Sequence, residues 1–96
     1  VQKEKDIFVV GLMVDERGTK APDVQQVITR YGSHILCRNG IPSPSRDRGI
    51  ITLTMEATEE EYRKMEQELK ELHGVTVDSI HFRQPESFQV CQNNQA

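Results

Sequence analysis

The chain has 96 residues, 35% of them apolar and none of them tryptophan, which suits one domain with one thin core. A chain this short gains stability by associating. A net charge of −3 argues against a broad nucleic-acid footprint, which needs a basic face. No run approaches the roughly eighteen consecutive apolar residues of a membrane-spanning helix. The charged start, Val1-Gln2-Lys3-Glu4-Lys5-Asp6, is followed by no signal-type apolar helix, so a cytoplasmic protein is expected. Cys37 and Cys91 form no Cys-x-x-Cys pair and are expected to be free thiols.

Residues 7–14, Ile-Phe-Val-Val-Gly-Leu-Met-Val, are β-branched, aromatic and bounded by charge, which predicts a strand with two apolar faces. Gly11 inside it suggests a bulge or a close approach of another backbone. The polar run over 15–20 reads as a loop, and Ala21-Pro22-Asp23 opens a helix. Val24, Val27, Ile28 and Tyr31 recur at helical spacing on one face, and Gly32 is the natural stop. Residues 33–38 predict a second strand. With two prolines and two glycines, residues 39–49 read as a long loop. Residues 50–57 alternate cleanly, with Ile51, Leu53, Met55 and Ala57 on one face of a third strand.

Thr58 and Glu61 form a capping box at the head of a second helix, whose Tyr62, Met65, Leu69 and Leu72 recur at helical spacing. His73-Gly74 closes it. Residues 75–82 are the fourth strand, and the slip in parity between Val75/Val77 and Ile80/Phe82 suggests a bulge or a misplaced strand boundary. The order β-α-β-β-α-β is the split βαβ arrangement of the ferredoxin-like (ACT-like) α+β fold. Right-handed crossovers give an antiparallel sheet of order 4-1-3-2 with both helices on one face. One domain is expected over residues 6–83, and a polar tail over 84–96.

That topology leaves one face of the sheet open. Either Phe8, Val10, Leu12 and Val14 or Ile7, Val9 and Met13 must lie on it, and a second copy of the chain is the economical cover. A homo-oligomer, dimer or higher, is therefore expected.

Several segments in fixed order carry a family likeness. They are residues 9–15 (VVGLMVD), 27–32 (VITRYG), 35–42 (ILCRNGIP), 49–51 (GII) and 72–77 (LHGVTV). Over roughly residues 6–82 the chain resembles the iron-only hydrogenase system regulators. These are short bacterial ACT-like proteins, distantly similar to the nickel-sensing domain of nickel-responsive repressors. The family's usual glycine before the arginine of Gly-Arg-x-Gly-Ile-Pro is Cys37 here. The resemblance implies the ferredoxin-like fold and a regulatory role linked to hydrogenase maturation or its transcriptional control. It supplies no catalytic residue.

The residues themselves point to binding chemistry. Arg38, Arg46 and Arg48 gather around Asn39-Gly40-Ile41-Pro42 and Gly49, where guanidinium groups and exposed amides can hold a carboxylate or phosphate. This is the candidate site for a small anionic effector or a protein partner. A nickel-type metal-sensing role is the alternative, with His34, Cys37 and His81 as candidate ligands beside His73 and Cys91. His34 and Cys37, three apart, fall on opposite faces if both lie in one strand. No Gly-x-Gly-x-x-Gly or Walker motif is present, so no cofactor is expected. No nucleophile elbow or His-Glu-x-x-His is present either, and an enzyme is not expected. A small hydrolase, the remaining reading, needs a phosphate cradle after the first strand. Asp15-Glu16-Arg17-Gly18 offers two carboxylates there instead. No spare helix-turn-helix exists for direct nucleic-acid contact.

Overall fold

A computed structural model of the chain describes residues 4–15, 21–42 and 48–83. Strand β1 (Asp6–Asp15) leads to helix α1 (Ala21–Arg30) and a single 3₁₀ turn (Gly32–His34). Strands β2 (Ile35–Pro42) and β3 (Arg48–Ala57), helix α2 (Glu59–Lys70) and strand β4 (Val75–Phe82) follow. The sheet order is β2-β3-β1-β4 and every pairing is antiparallel, so the expected ferredoxin-like topology is present. The expected tail over 84–96, with Cys91, lies outside the described residues, as do Gly18 and Arg46.

Alternation along β1 sorts the two apolar rows. Phe8, Val10, Leu12 and Val14 are buried, as are Leu53, Met55 and Ala57 of β3 and Val77 of β4. They meet Val24, Val27 and Ile28 of α1 and Tyr62, Met65 and Leu69 of α2 in one core. Ile7, Val9 and Met13 face the other way, onto the side that carries neither α1 nor α2.

Three local expectations change. Residues 39–42 are not loop: they continue β2, and Asn39, Gly40, Ile41 and Pro42 pair with Thr52, Ile51, Ile50 and Gly49. Gly and Pro are tolerated there because β2 is an edge strand and Pro42 ends it. Strand β4 carries no bulge, since its register with β1 runs unbroken from Ile7↔Phe82 to Val14↔Val75. The parity slip has another cause: Val77 packs on the core while Ile80 and Phe82 point to the open face. Gly11 is neither a bulge nor a close approach within the chain. Its pairings with Thr52 and Asp78 are regular, and an added Cβ would meet only the Asp78 carbonyl oxygen, at 3.8 Å.

The bulge sits in β2. Ile35 pairs with Met55 but Cys37 pairs with Thr54, so Leu36 is an extra residue. After α2, Gly74 adopts φ 86°, a left-handed conformation that glycine takes without a Cβ penalty, and its carbonyl accepts from the Asp15 N–H at 2.8 Å.

The capping box of α2 is complete. Glu61 N–H donates to Thr58 Oγ1 at 3.1 Å, and Thr58 N–H donates to the Glu61 carboxylate at 2.9 Å. That second bond holds the Glu61 carboxyl below its usual pKa. Glu68 is lowered likewise, first by the Tyr31 hydroxyl and then by Arg30. Carboxyls depressed in the folded state stabilise it above their unfolded value, about 4.3, and that contribution is lost as pH falls through the lower folded value. Thr58→Ala is expected to cost about 1 kcal/mol at neutral pH. It is also expected to flatten the loss of stability on acidification, because it weakens the cap that depresses Glu61. Urea melts of both proteins at pH 7 and pH 3 read this out. Parallel acid losses in the two proteins would contradict it.

Candidate functional site

The bulge at Leu36 decides where the candidate arginine lies. In a regular strand Arg38, three residues after Ile35, would face away from it. The extra residue restores Arg38 to the helix side, opposite Leu53. There one guanidinium N–H donates to Gln25 Oε1 of α1 at 2.6 Å. A guanidinium has five such donors, and among the described residues Arg38 has no carboxylate partner. By contrast Arg30 pairs with Glu68, and Arg63 pairs with Glu59 and Glu66.

Arg38 stands at the rim of a groove of about 400 Å³ between the end of α1 and the start of β2. Ile28, Thr29 and Gly32 line one wall; Ile35, Leu36 and Cys37 line the other. Leu36 is 61% exposed, pushed outward at the bulge. The groove therefore combines an apolar floor with a cation at its rim. Gln25 and Leu36 were not singled out from the sequence, and Ile28 was read only as part of the apolar face of α1. The only signal that could have found them was the bulge, and no residue pattern announced it.

The other residues of the predicted arginine segment disperse. Asn39 and Ile41 lie on the open face, in register with Thr52 and Ile50, while Gly40 lies on the helix side opposite Ile51. Arg48, exposed, pairs across the strands with Asp15 and donates to Met13 Sδ at 3.5 Å, also on the open face. Gly49 sits beside Pro42 at the far end of the sheet. Arg38 and Arg48 thus stand on opposite sides of the sheet.

The candidate metal ligands are likewise apart. Cys37, a free and exposed thiol, is on the open face in register with Thr54. His34 belongs to the 3₁₀ turn rather than to a strand, so strand alternation does not govern it. Its Nε2 is 3.8 Å from Glu61. His81 lies on the helix side of β4, stacked on Phe8 at 4.3 Å and 2.7 Å from the Asp6 carboxylate. No group of three or more His, Cys, Asp or Glu among the described residues is arranged to hold a metal. A larger hollow, about 540 Å³ at the head of α2, is lined by Glu4, Asp6, Glu59 and Glu60 with Thr58 and Arg63, and its four carboxylates against one arginine disfavour an anion. The segment after β1, where a hydrolase of this topology would need a phosphate cradle, lies outside the described residues. No helix among them is long and apolar enough to cross a membrane.

Among solved structures, the uncharacterized protein TM1266 from Thermotoga maritima superposes with a TM-score of 0.78. The two are 21% identical over 83% of this chain and 100% of that one, a likeness of fold. Protein SO0527 from Shewanella oneidensis aligns with a TM-score of 0.46 at 12% identity, over 83% of this chain and 92% of its own. No curated protein matches the chain by sequence. A family model, TM1266-like, described as "Iron-only hydrogenase system regulator, putative", matches residues 6–79. That span runs from the first residue of β1 into β4, and the chain belongs to this TM1266-like family.

Proposed function

We propose that this chain is a regulatory binding module of the iron-only hydrogenase system, acting through a bound effector rather than through catalysis. The observation that carries this reading is Arg38, held by Gln25 at the rim of an apolar groove and without a carboxylate partner among the described residues. The ligand class that fits is a small carboxylate with an apolar body: the carboxylate pairs with the guanidinium and the body lies on Ile35 and Leu36. Family membership supplies the process. The groove spans α1 and β2, so a ligand there ties together two elements that otherwise touch little.

Complementation tests the reading in a host that carries an iron-only hydrogenase. Deleting the gene is expected to change hydrogenase activity, and the wild-type chain to restore it. Arg38→Ala is expected to fold and to fail at restoration, because losing a charge-assisted contact of about 1.5–3 kcal/mol weakens affinity about 10- to 100-fold. Lys64→Ala, exposed on α2 away from the groove and from the open face, is expected to restore activity fully. Unaltered hydrogenase activity after deletion would refute the regulatory role. Full rescue by Arg38→Ala would refute the groove.

A further inference from the structure

Exposed large apolar side chains are confined almost wholly to one place. Ile41 (60%), Ile80 (57%), Phe82 (53%) and Met13 (38%) all stand on the open face of the sheet, and Leu36 at the bulge is the one exception among the described residues. Val9, Ile7 and Ile50 lie half-buried among them. We infer that this face is covered by a second copy of the chain, packed sheet on sheet about a twofold axis that runs along the strands between β1 and β3.

The register argues for that partner and that axis. Rotation about it exchanges β1 with β3 and β4 with β2 while keeping each cross-strand row in place. One row reads Asn39–Thr52–Gly11–Asp78, so Asp78 of one copy meets Asn39 of the other, an acceptor against an amide. Thr52 meets Gly11, where the missing side chain leaves a dimple of about 220 Å³ bordered by Met13, Ile50, Thr76 and Asp78. In the end row, Asp15 meets Arg48, opposite charges. Met13 meets Ile50, apolar on apolar. An axis across the strands through that central row instead sets Asp78 against Asp78, which like charge disfavours. The centre of the face is thus self-complementary in charge and in shape, as an isologous contact requires.

Size is consistent with this. Four strands about 4.8 Å apart and about eight residues long present on the order of 500 Å² in projection. Two such faces remove on the order of 1,000 Å², the lower bound of a specific interface. Gly11 also gains a purpose here. A Cβ at this position fits within one chain, so nothing inside the fold excludes a side chain. What such a side chain fills is the dimple.

Sedimentation equilibrium on the full chain at about 1–50 µM tests the proposal. The wild type is expected to be a dimer. Val9→Asp and Ile80→Asp are expected to raise the dissociation constant by about 100-fold or more with unchanged far-UV circular dichroism. Gly11→Val is expected to keep or raise thermal stability measured at a concentration where the wild type is monomeric, yet to weaken the dimer about tenfold. A monomeric wild type throughout this range would overturn the inference and leave the face to the chain's own tail or to another protein. So would a dimer that Val9→Asp and Ile80→Asp leave intact, which would place the contact at an edge strand or on the helices. Arg38→Ala leaves the dimer unchanged, so failure here is distinguishable from failure of the effector reading.

Discussion

Phe8→Ala is expected to be close to unfolding this protein. Phe8 is fully buried at the centre of the helix side, and its ring stacks on Tyr62 of α2 and on His81 of β4, both at 4.3 Å between centroids. It is thus the side chain through which the central strand, the second helix and an edge strand meet. Truncating a buried phenylalanine costs about 3–5 kcal/mol, of a total that for small domains is only about 5–15 kcal/mol. The lower end corresponds to a fall in Tm of tens of degrees for a domain of this size. Burial also pushes the Tyr62 hydroxyl up in pKa. Phe8→Leu, which keeps most of the volume, is expected to cost clearly less. Urea unfolding followed by far-UV circular dichroism measures both. A loss below about 1 kcal/mol for the alanine variant would mean that the stack contributes little and that the core is held elsewhere.

Most of the fold is legible in the sequence because period and punctuation agree. The alternation of Ile51, Leu53, Met55 and Ala57 marks β3, the Thr58–Glu61 box marks the start of α2, and the helical spacing of Val24, Val27 and Ile28 marks the core face of α1. The two-sided apolar character of β1 follows from its place inside the sheet, and burial tells which row is which. The candidate site is less legible for a specific physical reason. Proline and glycine after Arg38 read as loop by composition, whereas an edge strand admits both because it is paired on one side only. The bulge at Leu36 shifts parity by one residue. That single step moves Arg38 from the open face to the groove, and no residue type in Ile35-Leu36-Cys37 signals it. In β4 the signal was present but had a different meaning: apolar residues at both parities belong to a regular strand with apolar side chains on each face, Val77 turned to the core and Ile80 and Phe82 turned away.

His81 couples those two faces, and its replacement is expected to disturb both. Its Nε2 lies 2.7 Å from Asp6 Oδ2, with the side chains 18% and 12% exposed, and its ring covers Phe8. Asp6 begins β1 and His81 sits near the end of β4, so the contact fastens the edge strand to the central one where the pairing stops. His81→Phe keeps a ring on Phe8 and removes one partner of a largely buried carboxylate, which is expected to cost about 1–3 kcal/mol. His81→Ala removes the ring as well, adding about 0.5–1.5 kcal/mol of stacking. A double-mutant cycle with Asp6→Asn isolates the polar part, and a coupling energy near zero would assign the carboxylate's satisfaction to its other contacts. The neighbours in sequence extend the consequence. Ile80 and Phe82 flank His81 and point the opposite way, so the ring that fixes β4 on the helix side also fixes how the edge presents those two side chains on the open face. His81→Ala is therefore expected to weaken self-association although it touches nothing at the interface. His81→Phe, still stacked, is expected to weaken it less. Equal dimer dissociation constants for wild type and His81→Ala would separate the two faces of the strand and confine this residue to stability alone.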